Sequence, residues 1–143
     1  MIYTHLTNEA MKLAYRAHHG QTDKGGIPYI FHPYHLAEQM TDEYSTCVAL
    51  LHDVMEDTTI TLDDLSAIFP DPVVEAVALM THDDHTPYLD YVKRIKDNPI
   101  ARAVKLADLM HNSDKSRLED PSANAAALMR WEEKYSKAIE ILR

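Results

Sequence analysis

Cysteine, glycine and basic residues are all scarce in this chain, and each shortage excludes something. The one cysteine among 143 residues, Cys47, rules out an internal disulfide. Its apolar neighbours Val48, Ala49 and Leu50 make it a buried thiol of a reducing compartment. With three glycines and only short β-branched alternation, a sheet of any size is not expected. No apolar run is long enough to cross a bilayer, and the N-terminus lacks the charged-then-apolar pattern of a secretory leader. The expectation is a cytoplasmic chain with no membrane partner. Lys and Arg together number 14 against 23 Asp and Glu, a formal charge of −9. Such a surface repels polyphosphate backbones and excludes a nucleic-acid polymer as partner. A small anionic ligand remains admissible where a metal or a few local cations receive it. The sequence carries no signal for an oligomeric state.

What remains is helical nearly throughout. At 45% apolar residues the chain can bury a core, and residues 1–143 read as one domain, a compact all-α bundle of roughly seven helices. A first helix is expected over residues 7–18, with Ala10, Leu13, Ala14 and Ala17 on one side and Gly20 placed to end it. Pro33 suits the first turn of a second, and a third starts near Tyr44. Thr61-Leu62-Asp63-Asp64 has the form of a capping box opening a short helix that Pro70 stops. Asp71-Pro72, Thr86-Pro87, Asn98-Pro99 and Asp120-Pro121 each read as an N-cap followed by Pro at the first helical position.

The run from Leu50 to Thr58, LLHDVMEDT, sets an imidazole and three carboxylates within six residues. On a helix turning about 100° per residue from His52, Glu56 lies near ~40°, Asp53 near ~100° and Asp57 near ~140°. Val48, Leu51, Val54 and Met55 share the arc from about 200° to 320°. One face is a core stripe, the other a concentration of metal ligands and acid/base groups. Packing gives no reason to gather that much negative charge; binding a cation does. A second two-faced segment runs from Ile100 to Asn112. Measured from Asp108, Asn112 lies near ~40° and Lys105 near ~60°, while Ala103, Leu106, Leu109 and Met110 take the arc from about 100° to 220°. By itself this segment would read as a solvated amphipathic face, and His32, flanked by Phe31 and Pro33, as a histidine capping a helix or edging the core.

Four blocks connect these pieces: His18-His19-Gly20-Gln21 with Lys24, Pro28-Tyr29-Ile30-Phe31-His32-Pro33, His52-Asp53-Val54-Met55-Glu56-Asp57-Thr58, and Lys105-Leu106-Ala107-Asp108-Leu109-Met110-His111-Asn112. In this order, over residues 18–112, they resemble the hydrolase domain of RelA/SpoT-type enzymes, within the HD superfamily of metal-dependent phosphohydrolases. Nothing in the chain resembles the synthetase or regulatory domains of the long bifunctional members, so the likeness is to a small, stand-alone alarmone hydrolase. The resemblance implies that His32, His52, Asp53 and Asp108 coordinate one divalent metal, usually Mn²⁺. It implies further that Glu56 and Asp57 position and deprotonate the attacking water, and that Lys24 and Asn112 contact the nucleotide or its phosphates. Lys105 is a further phosphate cation, and Tyr29 a candidate for the pocket wall. The implied activity is removal of the 3′-pyrophosphate from guanosine 3′,5′-bispyrophosphate (ppGpp). Another nucleotide substrate (a nucleoside 5′-phosphate or an adenosine alarmone) and a non-catalytic nucleotide-binding module are the competing readings.

The likeness has gaps. Asp23-Lys24 stands where the family usually carries Arg-Lys, a charge reversal beside the expected pyrophosphate path. Lys115 and Arg117 follow Asn112 in a divergent segment that reads as a surface helix end or as a replacement for the missing cation. The stretch from Met80 to Pro87 is shorter than the family norm. His82-Asp83-Asp84-His85 repeats the His-Asp pairing but lies between helices and reads as a polar loop at the pocket rim. Tyr88 and Tyr91 fit a helix face better than a base-stacking platform, and Trp131, on a long charged terminal helix, reads as packing.

Overall fold

The structure, a computed structural model, describes residues 1–114, 116 and 125–143. Asp120-Pro121, Lys115 and Arg117 lie outside the described residues. Nine helices are described: α1 (His5–Ala17), α2 (Phe31–Glu38), α3 (Glu43–Leu51), α4 (Val54–Asp57), α5 (Leu62–Ser66), α6 (Asp71–Met80), α7 (Tyr88–Ile95), α8 (Pro99–Asn112) and α9 (Ala125–Leu142). Among the described residues, β-type pairing is limited to one isolated antiparallel bridge between Thr22 and Pro28. The all-α expectation holds. The segment expected as a single helix from Tyr44 divides into α3 and α4, one reason the helices outnumber the expected seven.

Side-chain caps open four of the described helices, α1, α3, α5 and α8. Thr7 N–H donates to Thr4 Oγ1 at 3.2 Å and Thr4 N–H to Thr7 Oγ1 at 2.9 Å, a reciprocal cap on α1. Gly20, at φ +85°, takes the left-handed turn that sends the chain away after α1. Thr61 and Asp64 form the expected capping box on α5, and Asn98 Oδ1 accepts from Ala101 N–H at 3.0 Å to open α8. Two proline starts shift by one residue. Pro70 is the N-cap of α6, with Asp71 already helical, and Pro87 is the N-cap of α7. The Thr86 hydroxyl instead donates to Asp83, at 2.9 and 3.0 Å from the two carboxylate oxygens.

The core is built around α3. Every residue from Ser45 to Leu51 is buried, and α3 packs against α1, α2, α6 and α8. A helix apolar all round belongs inside a bundle. Burying Leu50 and Leu51 contributes about 1.5–3 kcal/mol each. No described helix is long and apolar enough to cross a membrane.

The two faces of α8 resolve against the simple reading of its apolar arc. Ala103 is exposed and Met110 is 60% exposed, whereas Asp108 is buried along with Ala101, Val104, Ala107 and Leu109. The helix turns its Asp108 side inward because Ala101, Val104 and Ala107 share that side and pack on α3 and α6. A buried carboxylate is tolerated there because hydrogen-bond donors surround it, as described next.

Candidate metal centre

α2, the end of α3 and α8 bring three distant segments to one point. His52 is the C-cap of α3, and its Nδ1 lies 2.7 Å from the Ala49 carbonyl. A carbonyl only accepts, so Nδ1 carries the proton that donates there, and Nε2 is the nitrogen left to face an ion. That Nε2 is buried, lies 3.0 Å from Asp53 Oδ2 and 3.6 Å from Asp108 Oδ1, and has no hydrogen bond of good geometry. His32, on the first turn of α2, points Nε2 at Asp108 Oδ1 at 2.8 Å. Among the described residues, His32, His52 and Asp53 form the one grouping whose donor atoms all lie within 4.8 Å of one another. The structure therefore brings all four expected ligands together, with Asp108 spanning the two imidazoles.

Asp53 explains why α3 and α4 are separate. At φ −109° and ψ 1° it occupies the bridge region, where a helix does not propagate. The break swings its carboxylate back toward His52, and the continuous helical wheel expected for residues 48–57 does not survive it. Tyr29 donates its phenol proton to Asp53 Oδ2 and stacks obliquely between His18 and His32, with centroids at 4.8 and 5.6 Å. Burial and the Asp53 charge raise the phenol pKa, so Tyr29 stays a donor.

The electrostatics favour a cation at this point. Burial opposes charge on His52, but the Asp53 and Asp108 carboxylates outweigh it and raise its pKa well above the ordinary value. For Asp108 burial is likewise overcome, chiefly by Lys105 with help from His32 and His52, and its pKa falls well below the usual range. Lys105 Nζ sits 2.9 Å from Asp108 Oδ2, and Asn112 Nδ2 donates to Asp108 Oδ1 at 3.0 Å. Two imidazole nitrogens and two carboxylates with outer hydrogen-bond partners are a donor set that fits a divalent ion. The buried His52 Nε2, without a hydrogen-bond partner, is the observation that makes the fit specific.

Glu56 and Asp57 lie on α4 beside these ligands. Glu56 Oε1 accepts from the His82 backbone N–H. Burial raises the Glu56 pKa, with the His82 bond acting against it and Asp53 reinforcing it. Burial and Asp53 raise the Asp57 pKa as well. The Asp57 carbonyl accepts from Gln21 Nε2 at 3.0 Å, and Gln21 Oε1 is 2.8 Å from His18 Nδ1. Beyond lies a cleft of about 640 Å³ whose walls include Lys24, Tyr29, His32, Asp57, Asn112 and Trp131, within the roughly 300–1,000 Å³ typical of ligand pockets.

The expected substrate contacts divide. Lys24 and Asn112 line the cleft and Tyr29 walls it, whereas Lys105 is buried against Asp108. Asp23 acts locally. Its Oδ1 accepts from Gly25 N–H at 2.8 Å and Ile27 N–H at 3.0 Å, closing the turn before α2. The His82–His85 segment is a loop, as expected, and its backbone N–H at His82 is the group that meets Glu56. Tyr91 is buried, with its hydroxyl 2.5 Å from the Met80 carbonyl.

Two residues escape the sequence reading. His111 Nδ1 stands 2.7 Å from His32 Nδ1, the rings stacked at 5.0 Å. Trp131, expected as packing, is a cleft wall. His111 adjoins Asn112 in a block already singled out, and Trp131 begins the stripe Trp131, Tyr135, Ala138, Leu142 at helical spacing. Those were the available signals.

Residues 10–112 match the HD domain family. The bifunctional (p)ppGpp synthase/hydrolase SpoT of Escherichia coli is 34% identical over 134 residues, covering 78% of this chain and 19% of its own length. The guanosine-3′,5′-bis(diphosphate) 3′-pyrophosphohydrolase MESH1 of Homo sapiens is 37% identical over 118 residues, covering 73% of this chain and 65% of its own. The chain thus spans about a fifth of SpoT and just under two thirds of MESH1. A solved structure of a metazoan SpoT ortholog that hydrolyses ppGpp aligns over 100% of this chain and 88% of its own, with a TM-score of 0.79 and 24% identity, a likeness of fold. With the match reaching from α1 through the last residue of α8 and containing every candidate ligand, this chain belongs to the HD domain family.

Proposed function

We propose that this protein is a metal-dependent hydrolase that removes the 3′-pyrophosphate from ppGpp, giving GDP and pyrophosphate. The observation that carries the reading is the convergence of His32 Nε2, His52 Nε2, Asp53 and Asp108 at the end of a nucleotide-sized cleft, with Glu56 and Asp57 alongside. These four side chains would hold one Mn²⁺. Once bound, the ion would supply Lewis acidity, lowering the pKa of water and offsetting phosphoryl charge.

The remaining chemistry belongs to the chain. Tyr29 holds Asp53 and Asn112 holds Asp108, so both carboxylates keep their orientation through turnover. Glu56, its pKa raised by burial, is suited to take a proton from the attacking water. Attack at the phosphorus bonded to O3′ breaks that P–O bond, and the proton passes to the departing O3′. Asp57, held by its carbonyl to Gln21, orients the water from the second side. Lys24 and Asn112 receive the phosphates from the cleft wall. Asp23 lines the same cleft, with its Oδ1 held by Gly25 and Ile27 N–H. A cytoplasmic location follows for an enzyme of this substrate.

The test is incubation of the Mn²⁺-supplemented protein with ppGpp, following pyrophosphate and GDP. Release of both in equal amounts is expected. Phosphate release from a different nucleotide in a substrate panel, with ppGpp untouched, would replace this reading by that of an HD phosphohydrolase of another substrate.

A further inference from the structure

The reaction above makes no use of Trp131, the chain's only tryptophan. It stands on α9 at the head of a stripe at helical spacing. Ala138 and Leu142 are buried in the core, and Tyr135 packs against it. At its Trp131–Tyr135 end the stripe also faces the cleft shared by His32, Tyr29 and Asp57. A large flat indole thereby forms a cavity wall. The Lys24 ammonium lies over its ring face, with Nζ 3.2 Å from the centroid. Lys24 reaches it from the loop before α2, so the contact ties α9 to the segment that leads into His32.

That contact is the weaker of two that each partner can make. Stacking a nucleobase on an indole is worth more than an exposed cation–π pair, and an ammonium gains more from a phosphate than from a ring. Burial and the nearby Lys134 charge lower the Lys24 pKa. We propose that Trp131 is the nucleobase platform of the cleft, its indole taking the base of a purine nucleotide while Lys24 leaves the ring for the phosphates. This deepens the proposed function and rests on the same cleft. It assigns base recognition to α9, outside the segment of residues 10–112 that matches the HD domain family. Of the flat rings that line this cleft, Tyr29, His32, Trp131 and Tyr135, the indole is the one that carries the Lys24 ammonium on its face.

The test compares a ligand with a base to one without. GDP and pyrophosphate are each titrated calorimetrically into the Mn²⁺-loaded parent, Trp131→Leu and Trp131→Phe proteins. Loss of a stacked base should weaken GDP by roughly tenfold or more in Trp131→Leu, with pyrophosphate affinity unchanged and Trp131→Phe close to the parent. Because the chain has a single indole, its fluorescence in the parent should saturate with the same GDP dependence. The proposal is overturned if Trp131→Leu binds GDP as the parent does, if GDP and pyrophosphate weaken alike, or if the parent does not bind GDP. The two readings fail separately. A protein that binds GDP through Trp131 yet leaves ppGpp intact loses the reaction and keeps the platform. One that cleaves ppGpp with Trp131-independent GDP affinity does the reverse.

Discussion

In both histidines of the candidate centre, the ring nitrogen facing the ion is set by what the other nitrogen touches. His52 is aimed by the Ala49 carbonyl, a partner fixed in α3. His32 is aimed by His111, a side chain 79 residues away. For His32 Nε2 to be bare, Nδ1 must carry the proton and His111 Nδ1 must accept it. His111→Ala should therefore weaken Mn²⁺ binding by about 10–100-fold, with His111→Gln recovering part through its amide oxygen. Competition against a metal-chelating dye measures this, and unchanged affinity in the Ala variant would remove His111 from the site. The same dye separates ligand from base. Asp53→Ala should lose both metal and turnover, while Glu56→Gln should retain metal and lose roughly 10²–10⁴-fold in kcat. Full activity in Glu56→Gln would end its assignment as base. His52 and Asp53 were legible in a short dense motif, whereas His32 and Asp108 became candidate ligands only through the resemblance carried by the four blocks. His111 and the His82 N–H were not legible, because the contacts they make join segments that no periodicity relates.

At the scale of helices, the wheel on α8 grouped Asp108, Lys105 and Asn112 on one side, and of its apolar arc Leu109 is buried while Ala103 and Met110 are exposed. Three small or β-branched residues, Ala101, Val104 and Ala107, pack closely enough to bring Asp108 into the interior. Larger Met110 is left outside. Met110→Lys should then change stability by less than about 0.5 kcal/mol. Val104→Ala, which opens a void beside α3 and α6, should cost on the order of 2 kcal/mol. Urea melts of both variants check this, and a Met110→Lys cost as large as that of Val104→Ala would refute the assigned orientation. The α3–α4 break was hidden for a related reason. Residues 50–58 have helical spacing, but the backbone at Asp53 answers to His52, and that demand is invisible to periodicity. Caps fared better where the side chain had no rival partner, as at Thr61 and Asn98. They shifted where it had one, as at Thr86.

For the molecule as a whole, the centre is a cross-link. It joins the start of α2, the end of α3 and the last turn of α8 through groups that bury negative charge in a chain already at −9. Without an ion, the buried carboxylates are balanced by Lys105 and by a proton drawn onto His52. An ion bound only by the folded state replaces that proton and adds to stability by mass action. At free Mn²⁺ one hundred times its dissociation constant the gain is about 2.7 kcal/mol, which for a chain of this size raises Tm by roughly 5–10 °C. Differential scanning calorimetry with Mn²⁺ and with excess chelator measures it. Asp53→Ala supplies the control, since its Tm should respond to neither. A parent protein equally indifferent to Mn²⁺ and chelator would mean that His32, His52, Asp53 and Asp108 converge without receiving an ion, and the hydrolytic reading would fall with them.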